Sequence, residues 1–298
     1  AVVYAFFATL KARKLIKKKQ IDVVHFHAEG PCLFLNLLSK KRKTKIVVTI
    51  HGLDWQRGKW GGFASWILKR AEKKAVKYAD EIIVLSKNNQ EYFKNKYQRK
   101  TTYIPNGVEK AYLHEAEIIK NEYNLEKDSY ILFLARIVPE KGLDYLIEAW
   151  KKVRDEITTD KKLVIAGGDS HSTEYYQSIM EKVKNDDSII LTGFVEGQKL
   201  QELYSNAYLY VLPSDIEGMP MSLLEALSYG NVCLVSNIPE NTEVINENCF
   251  VFEKGNIDRL RHQLKKIINL KIKTHEDMII PYTWEEVTNK TLDIYRGK

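Results

Sequence analysis

Short apolar runs rich in Val and Ile recur along the chain, separated by charged segments in which apolar residues return every three or four positions. An apolar run bounded by polar residues reads as a strand buried on both faces. Its alternation with amphipathic helices predicts parallel sheets in α/β layers. In the first part of the chain, strands are predicted near 22–26, 45–50, 81–85 and 101–104, with helices over 1–19, 31–40, 63–79 and 87–96. Further on, strands near 130–135, 162–166, 188–192, 207–212, 231–236 and 249–252 alternate with helices over 142–157, 173–184, 197–205, 220–229 and 256–270. The pattern predicts two Rossmann-like units. The turn-rich Ile104-Pro105-Asn106-Gly107-Val108 marks the exit from the first sheet, so the first unit is expected over 1–108 and a polar helical linker over 109–125. The second unit then covers 126–280, with a last segment over 281–298. A doubly wound sheet binds ligands at the carboxyl ends of its strands, and two such units facing one another are expected to form a cleft there.

At 298 residues the chain is long enough for two domains, each with its own core. No window approaches the ~20 uninterrupted apolar residues of a membrane span. The longest early run, Ala1 to Leu10, ends in Lys11-Ala12-Arg13-Lys14, and the first residue is not Met. Basic residues follow this run rather than precede it, so a secretory signal is not expected and the sequence reads as an N-terminally trimmed piece. Cys32, Cys233 and Cys249 are scattered, odd in number and without a C-x-x-C pair. They are expected as buried thiols in a reducing cytosol, with no metal.

The formal net charge of +7 hides an asymmetry. Residues 1–110 hold 24 Lys and Arg against 8 Asp and Glu, or +16, which leaves 22 against 31, or −9, for the remainder. The basic runs Lys17-Lys18-Lys19, Lys40-Lys41-Arg42-Lys43 and Lys69-Arg70 through Lys77 fall on predicted helices or their ends. A solvated helix face is the plain reading. Clustered Lys and Arg also suit nucleic acid or an anionic membrane surface. No RNA-recognition or helix-turn-helix signature is present, which favours the membrane, no nucleic acid, and a peripheral place at the cytoplasmic face of the cell membrane.

The densest candidate chemistry lies in Asp215-Ile-Glu-Gly-Met-Pro-Met-Ser-Leu-Leu-Glu-Ala-Leu-Ser-Tyr-Gly230. Pro220 suits a first helical turn, so the amides of Gly218, Met219, Met221 and Ser222 are expected to converge at a helix N-terminus, a ready site for a diphosphate. Glu217 precedes that turn and Glu225 follows it. The alternative is a surface loop entering an amphipathic helix, with Leu223, Leu224 and Leu227 packed inward and Glu225 solvated. Arg136 and Lys141, in Arg136-Ile-Val-Pro-Glu-Lys141-Gly142, follow the strand Ile131 to Ala135. Two cations there can neutralise a departing diphosphate, unless Arg136 pairs with Glu140 and Lys141 points to solvent. Gly167-Gly168-Asp169 and Gly193-Phe194 close two further strands, where glycine lets a ligand approach the backbone.

In the first half, His51 leaves the strand Ile46 to Ile50, and His25 and His27 lie on one face at another strand end, His25 read as core and His27 as a cleft residue. Asp54, Trp55, Arg57, Lys59 and Trp60 fill the loop after His51. Aromatic rings with polar edges suit sugar stacking and acceptor contact, and packing on the next helix fits them equally. The chain carries no G-x-S-x-G elbow, H-E-x-x-H helix, Walker P-loop or G-x-G-x-x-G fingerprint, so hydrolase, NTPase and nicotinamide dehydrogenase readings lose their main support.

Taken in order, His51-Gly52, Ile104 to Val108, Arg136-x4-Lys141-Gly142, Ala166-Gly167-Gly168, Thr192-Gly193-Phe194 and Glu217-x7-Glu225 resemble the retaining glycosyltransferases of family 4, whose fold is GT-B. The resemblance runs from about Asp22 to the end, including a Tyr282-Thr283-Trp284 helix like the one that crosses back to the N-terminal domain. It implies that Arg136 and Lys141 hold the donor diphosphate. It places Glu217 at the transferred sugar, Glu225 at the donor ribose, and His51 on the sugar or acceptor side. The segment His51 to Trp60 is further similar to a bacterial subgroup linked to capsule, O-antigen or exopolysaccharide assembly. Family members begin with a strand and Gly-rich loop that this sequence lacks, so the N-terminal domain is expected to be incomplete. The implied reaction moves a hexosyl group from a nucleotide diphosphate sugar to a lipid-linked or polysaccharide acceptor. The anomeric configuration is retained by front-face attack, with no cofactor or metal. The alternatives are a non-catalytic sugar-nucleotide or glycan-binding protein and a sugar-nucleotide 2-epimerase on the same fold.

Overall fold

The computed structural model describes residues 2–38, 43–56, 61–168, 173–270, 272, 274–275 and 278–297. The chain divides into two compact units, Ala1–Gly107 together with Tyr282–Lys298, and Val108–Pro281.

The first unit carries β1 (Val23–His27), β2 (Lys45–Ile50), β3 (Glu81–Val84) and β4 (Thr102–Tyr103), all parallel and in that order across the sheet. Alternation along each strand sends residues to opposite faces. Ile46, Val48, Ile50, Ile82 and Val84 pack on one face with Cys32, Leu35, Ala71, Ala75 and Phe93. These come from a 3-10 helix, Gly30–Leu37, and from α2 (Gly62–Tyr78) and α3 (Lys87–Tyr97), with Ala12 and Ile16 of α1 (Val2–Lys17) against the same core. The other face carries Val47, Ile83 and Ile104, and Val287, Ile294 and Tyr295 of the C-terminal helix, Trp284–Arg296, cover it. That helix starts on a capping box, Thr283 with Glu286. A Cβ on Gly107 would lie 2.5 Å from the Trp284 amide nitrogen, so the chain leaves the first sheet directly beneath the returning segment. The described part of the helix expected over 31–40 is the 3-10 helix Gly30–Leu37, tightened from its start by the Cys32 N–H donating to Glu29 O at 2.9 Å.

In the second unit, α4 (Ile118–Tyr123) precedes β5 (Tyr130–Leu134), α5 (Leu143–Glu156), β6 (Lys162–Ala166), α6 (Thr173–Val183), β7 (Ile189–Gly193), α7 (Gly197–Asn206), β8 (Leu209–Leu212), α8 (Met221–Ser228), β9 (Cys233–Ser236), α9 (Pro239–Thr242), β10 (Phe250–Phe252) and α10 (Ile257–Ile268). The parallel sheet runs β10-β9-β8-β5-β6-β7, so the order reverses between β5 and β8. This is the Rossmann order, with its switch point at those two strands. On one face, Ile131, Phe133, Leu163, Ile165, Leu209 and Val211 pack with Leu146, Trp150 and Val153 of α5, Ile179 of α6, and Leu260, Leu264 and Ile267 of α10. Tyr130, Leu132, Val164, Tyr210 and Val235 are equally buried on the other. Residues 109–125, expected as a linker, belong to this unit, as does Val108. Glu202 of α7 accepts the N–H groups of Glu117, Ile118 and Ile119 at 3.1, 2.8 and 3.1 Å, capping α4 from a distant part of the sequence.

Candidate active site

The carboxyl ends of β5, β6 and β8 are held together by close backbone approach. Gly142, at φ +64°, sits where a Cβ would be 2.3 Å from Pro213 O, and a Cβ on Gly167 would be 1.9 Å from Ala135 O. No other residue type fits these two positions without moving backbone. The Asp215 N–H donates to Glu140 O at 2.9 Å and the Tyr145 hydroxyl to Asp215 at 3.0 Å, fixing the loop after β8 to the short 3-10 turn Pro139–Lys141.

This fastening brings Lys141 and Glu217 together. Lys141 Nζ lies 2.5 Å from Glu217 Oε1, with the two side chains only 14% and 7% exposed. The alternative of a solvent-pointing Lys141 is therefore not what the fold adopts. Ser214 Oγ donates to the same carboxylate oxygen at 2.7 Å. Ser236 Oγ donates to Ser214 O at 2.5 Å and accepts from the Asn241 amide at 3.0 Å, a buried chain running back under β9. Ser214, Ser236 and Asn241 were not singled out in the sequence. The signal for the two serines is a small polar residue just past or at the end of an otherwise apolar strand; Asn241, in α9, has none. Arg136 is exposed immediately after β5.

Pro220 is the cap of α8 rather than a residue of its first turn, with φ −78° and ψ 88°. The N–H groups of Leu223 and Leu224 turn back to Pro220 O at 3.0 and 3.1 Å. Those of Gly218, Met219, Met221 and Ser222 have no hydrogen bond among the described residues, which leaves four donors at one helix start. Glu225 is not solvated on an outer face. It accepts the hydroxyl of buried Tyr204 at 3.0 Å, and burial raises its carboxyl above the ordinary range while that hydrogen bond opposes the rise. The Tyr210 hydroxyl donates to Ser222 Oγ at 2.8 Å, so two buried tyrosines hold the helix start and its acid from below. At the ends of β6 and β7, the Gly167 N–H donates to Gly193 O at 2.9 Å and Phe194 stands 75% exposed beside Gly168. Asp169 lies outside the described residues.

In the first unit, three imidazoles form a column at the carboxyl ends of β1 and β2. The rings of His25 and His27 stack with centroids 4.3 Å apart, those of His27 and His51 at 5.3 Å, and His27 Nδ1 is 3.0 Å from His51 Nε2. His25 is half-buried and engaged by polar groups rather than set in the apolar core, with Tyr295 OH and Thr49 Oγ1 each 2.7 Å from a ring nitrogen. Burial, then the neighbouring His27 and His51, lowers it to about 4; burial likewise lowers His27. Asp54 and Trp55 open a short 3-10 turn. The Trp55 indole N–H donates to buried Glu72 at 2.9 Å, with Lys69 4.5 Å from the ring centroid, so this aromatic takes the packing role that the sequence left open. Arg57, Lys59 and Trp60 lie outside the described residues. The described part of the chain contains no group of three His, Cys, Asp or Glu side chains able to hold a metal ion, and none of its helices is long and apolar enough to cross a membrane.

Comparison with known proteins agrees with both halves of this arrangement. Residues 2–112 match the family described as Glycosyltransferase Family 4, and residues 115–281 the family described as Glycosyl transferases group 1. The UDP-Gal:alpha-D-GlcNAc-diphosphoundecaprenol alpha-1,3-galactosyltransferase of Escherichia coli is 26% identical over 271 residues, 87% of this chain and 69% of that protein. The O-antigen chain mannosyltransferase B of the same species is 24% identical over 184 residues, 60% of this chain and 48% of its own length. Among solved structures, HepE of Anabaena in complex with UDP and glucose superposes with a TM-score of 0.80 at 15% identity, covering 96% of this chain and 81% of that one. At that identity the likeness is one of fold, and the fold is GT-B. With family models matching nearly its whole length, the chain belongs to the glycosyltransferases, a family 4 first part joined to a group 1 second part.

Proposed function

We propose that this glycosyltransferase moves a hexosyl group, with retention, from a nucleotide diphosphate sugar to a lipid-linked or polysaccharide acceptor in bacterial surface glycan synthesis. The observation that carries the reading is the buried Lys141–Glu217 pair at the switch point of the second sheet, beside four donor amides at the start of α8. Diphosphate oxygens gain charge as the sugar departs, and fixed cations and amides stabilise that charge without reorganising. Arg136, Lys141 and the amides of Gly218, Met219, Met221 and Ser222 take this role, in place of a divalent ion. Glu217, oriented by Lys141 and Ser214, contacts the transferred sugar, and Glu225 the ribose. His27, His51 and Asp54 serve the acceptor side. No side chain is assigned as a covalent nucleophile, and the leaving phosphate takes the acceptor proton. The names of the two Escherichia coli relatives, which act on a diphosphoundecaprenol-linked sugar and an O-antigen chain, support this acceptor class.

The basic first half docks on anionic lipid at the cytoplasmic face of the membrane. Phe63 and Trp66 on α2 are 76% and 56% exposed, with the Arg70 guanidinium over the Trp66 ring at 5.7 Å, the mixture of aromatic and cation that suits a lipid interface.

The test is a thermal-shift and calorimetric screen against UDP, GDP, dTDP and their hexose conjugates, with Lys141→Ala in parallel. One diphosphate is expected to raise the melting midpoint, with affinity in the variant weaker by roughly 10- to 150-fold, the loss of a charge-assisted contact of about 1.5–3 kcal/mol. EDTA is expected to leave binding and turnover unchanged. Binding by no nucleotide, or equal binding by Lys141→Ala, would contradict the proposed donor site.

A further inference from the structure

Beneath the loops that follow β1 and β2, the first unit buries two carboxyl groups, Glu29 and Glu72, each with no exposed surface. Glu29 stands two residues past His27 and directly after Ala28, whose φ of 70° lies in the left-handed region. Glu29 Oε2 accepts the backbone N–H of Asp54 at 3.1 Å, in the loop that begins at His51. Glu72, on α2, accepts the indole N–H of the next residue, Trp55, at 2.9 Å. It also accepts the hydroxyls of Tyr92, at 2.9 Å, and Tyr97, and pairs with Lys96 at 3.2 Å. Successive residues of the β2 loop are thus each tied to one member of the acid pair.

The charges at this place do not balance as carboxylates. Glu72 has three neutral donors and a lysine, whereas Glu29 Oε1 is buried with no hydrogen-bond partner to supply a proton. An ionised Glu29 would put a second negative charge beside Glu72 with an acceptor oxygen unsatisfied, which a buried site does not tolerate cheaply. A proton on Oε1 removes the charge and turns the orphaned acceptor into a donor facing Glu72.

We propose that Glu29 is a positioning residue, a neutral carboxylic acid whose proton is shared with Glu72 and whose other oxygen clasps the loop after β1 to the loop after β2, setting His27 and His51 for the reaction. The functional half of this statement rests on the transferase reading above; the structural half does not. Burial, then the charge of Glu72 and the hydrogen bond to it, push the Glu29 carboxyl up to about 9, with the Asp54 charge adding and its amide opposing. Burial raises Glu72 too, but the hydrogen bonds from Tyr97, Trp55, Glu29 and Tyr92 hold it below the usual carboxylate range. The other titratable groups around the pair are Tyr92, Tyr97 and Lys96 of α3, Lys69 over the Trp55 ring, and Cys32. Tyr92 and Tyr97 are pushed upward by burial and by Glu72, and Cys32 by burial and by Glu29.

The folded chain keeps a proton on Glu29 that the unfolded chain has already lost. Stability therefore falls as pH rises from the ordinary carboxyl range to about 9, and then levels. The test measures melting midpoints from pH 6 to 10, together with the imidazole ¹⁵N resonances of His27 and His51, in the wild-type chain, Glu29→Gln and Glu29→Leu. The wild-type midpoint is expected to fall across this range more steeply than that of Glu29→Gln, whose amide donates to Glu72 and accepts from Asp54 at every pH. Glu29→Gln should leave both histidine resonances in place, and folded Glu29→Leu should shift them. The same alkaline fall in Glu29→Gln as in the wild type, or undisturbed histidine resonances in folded Glu29→Leu, would overturn the proposal. Neither readout needs a sugar nucleotide, so a failure here is distinct from a failure of the transferase reading.

Discussion

The imidazole of His25 lies between two hydroxyls and against a second imidazole, a setting that favours the neutral ring. Its depression to about 4 means that the folded chain refuses a proton which the unfolded chain accepts below its ordinary value near 6.5. The stability it contributes is thus present above pH 6.5 and lost as pH falls toward 4. The ring is only partly buried, so solvent screening reduces the effect to about 1–2 kcal/mol. Denaturant midpoints at pH 4.5 and 7.5 are expected to differ less in His25→Gln than in the wild-type chain. Equal differences would show that the ring is free to charge in place. The sequence placed His25 on the same strand face as His27 but could not reveal Tyr295, a residue from the far end of the chain. Lys141 and Glu217 were legible because each follows a buried strand; their 2.5 Å contact was not, since it depends on Gly142 approaching Pro213 across the sheet.

Helix α4 owes its start to a residue outside its own sequence. Glu117 holds the cap position without a side-chain cap bond, and the three amides that would be orphaned are taken by Glu202, fully buried on α7. Removing a buried acceptor of several N–H groups costs more than losing a surface cap, about 3 kcal/mol. Glu202→Ala should lower the unfolding free energy by about that amount in urea titration. A change below about 0.5 kcal/mol would mean that water replaces the carboxylate. Elements were legible where local pattern sufficed: all ten predicted strands have counterparts, because parallel strands buried on both faces leave unbroken apolar runs. The four-residue α9 and the 3-10 turns at Asp54–Gln56 and Pro139–Lys141 were not, being too short to show a period. The 3-10 helix Gly30–Leu37 falls where a helix is expected over 31–40; its pitch is not legible, since a 3-10 and an α turn place apolar residues similarly over so short a span.

At the scale of the molecule, the charge split is the property with the longest reach. A first half at +16 and a remainder at −9 give the chain an electrical direction that its net +7 conceals. Sedimentation with vesicles containing phosphatidylserine is expected to capture the protein at low salt. Capture should fall severalfold between 50 and 300 mM NaCl, and Phe63→Ser with Trp66→Ser should weaken the salt-resistant part. Binding to neutral vesicles as strong as to anionic ones would remove charge from the account.

The first unit is finished by residues that come last. Val287, Ile294 and Tyr295 cover its second sheet face, and Tyr295 reaches His25, although the whole second unit intervenes in the sequence. The second unit is in this sense an insertion, entered at Val108 and left at Pro281. Exchange of second units between relatives therefore requires two junctions rather than one. A single crossover would graft a foreign terminal helix onto the native sheet, bringing hydrophobic mismatch to the face and a stranger to the histidine column. Chimeras made as cassettes, with both borders respected, would keep the first sheet under its own terminal helix while the second unit is changed.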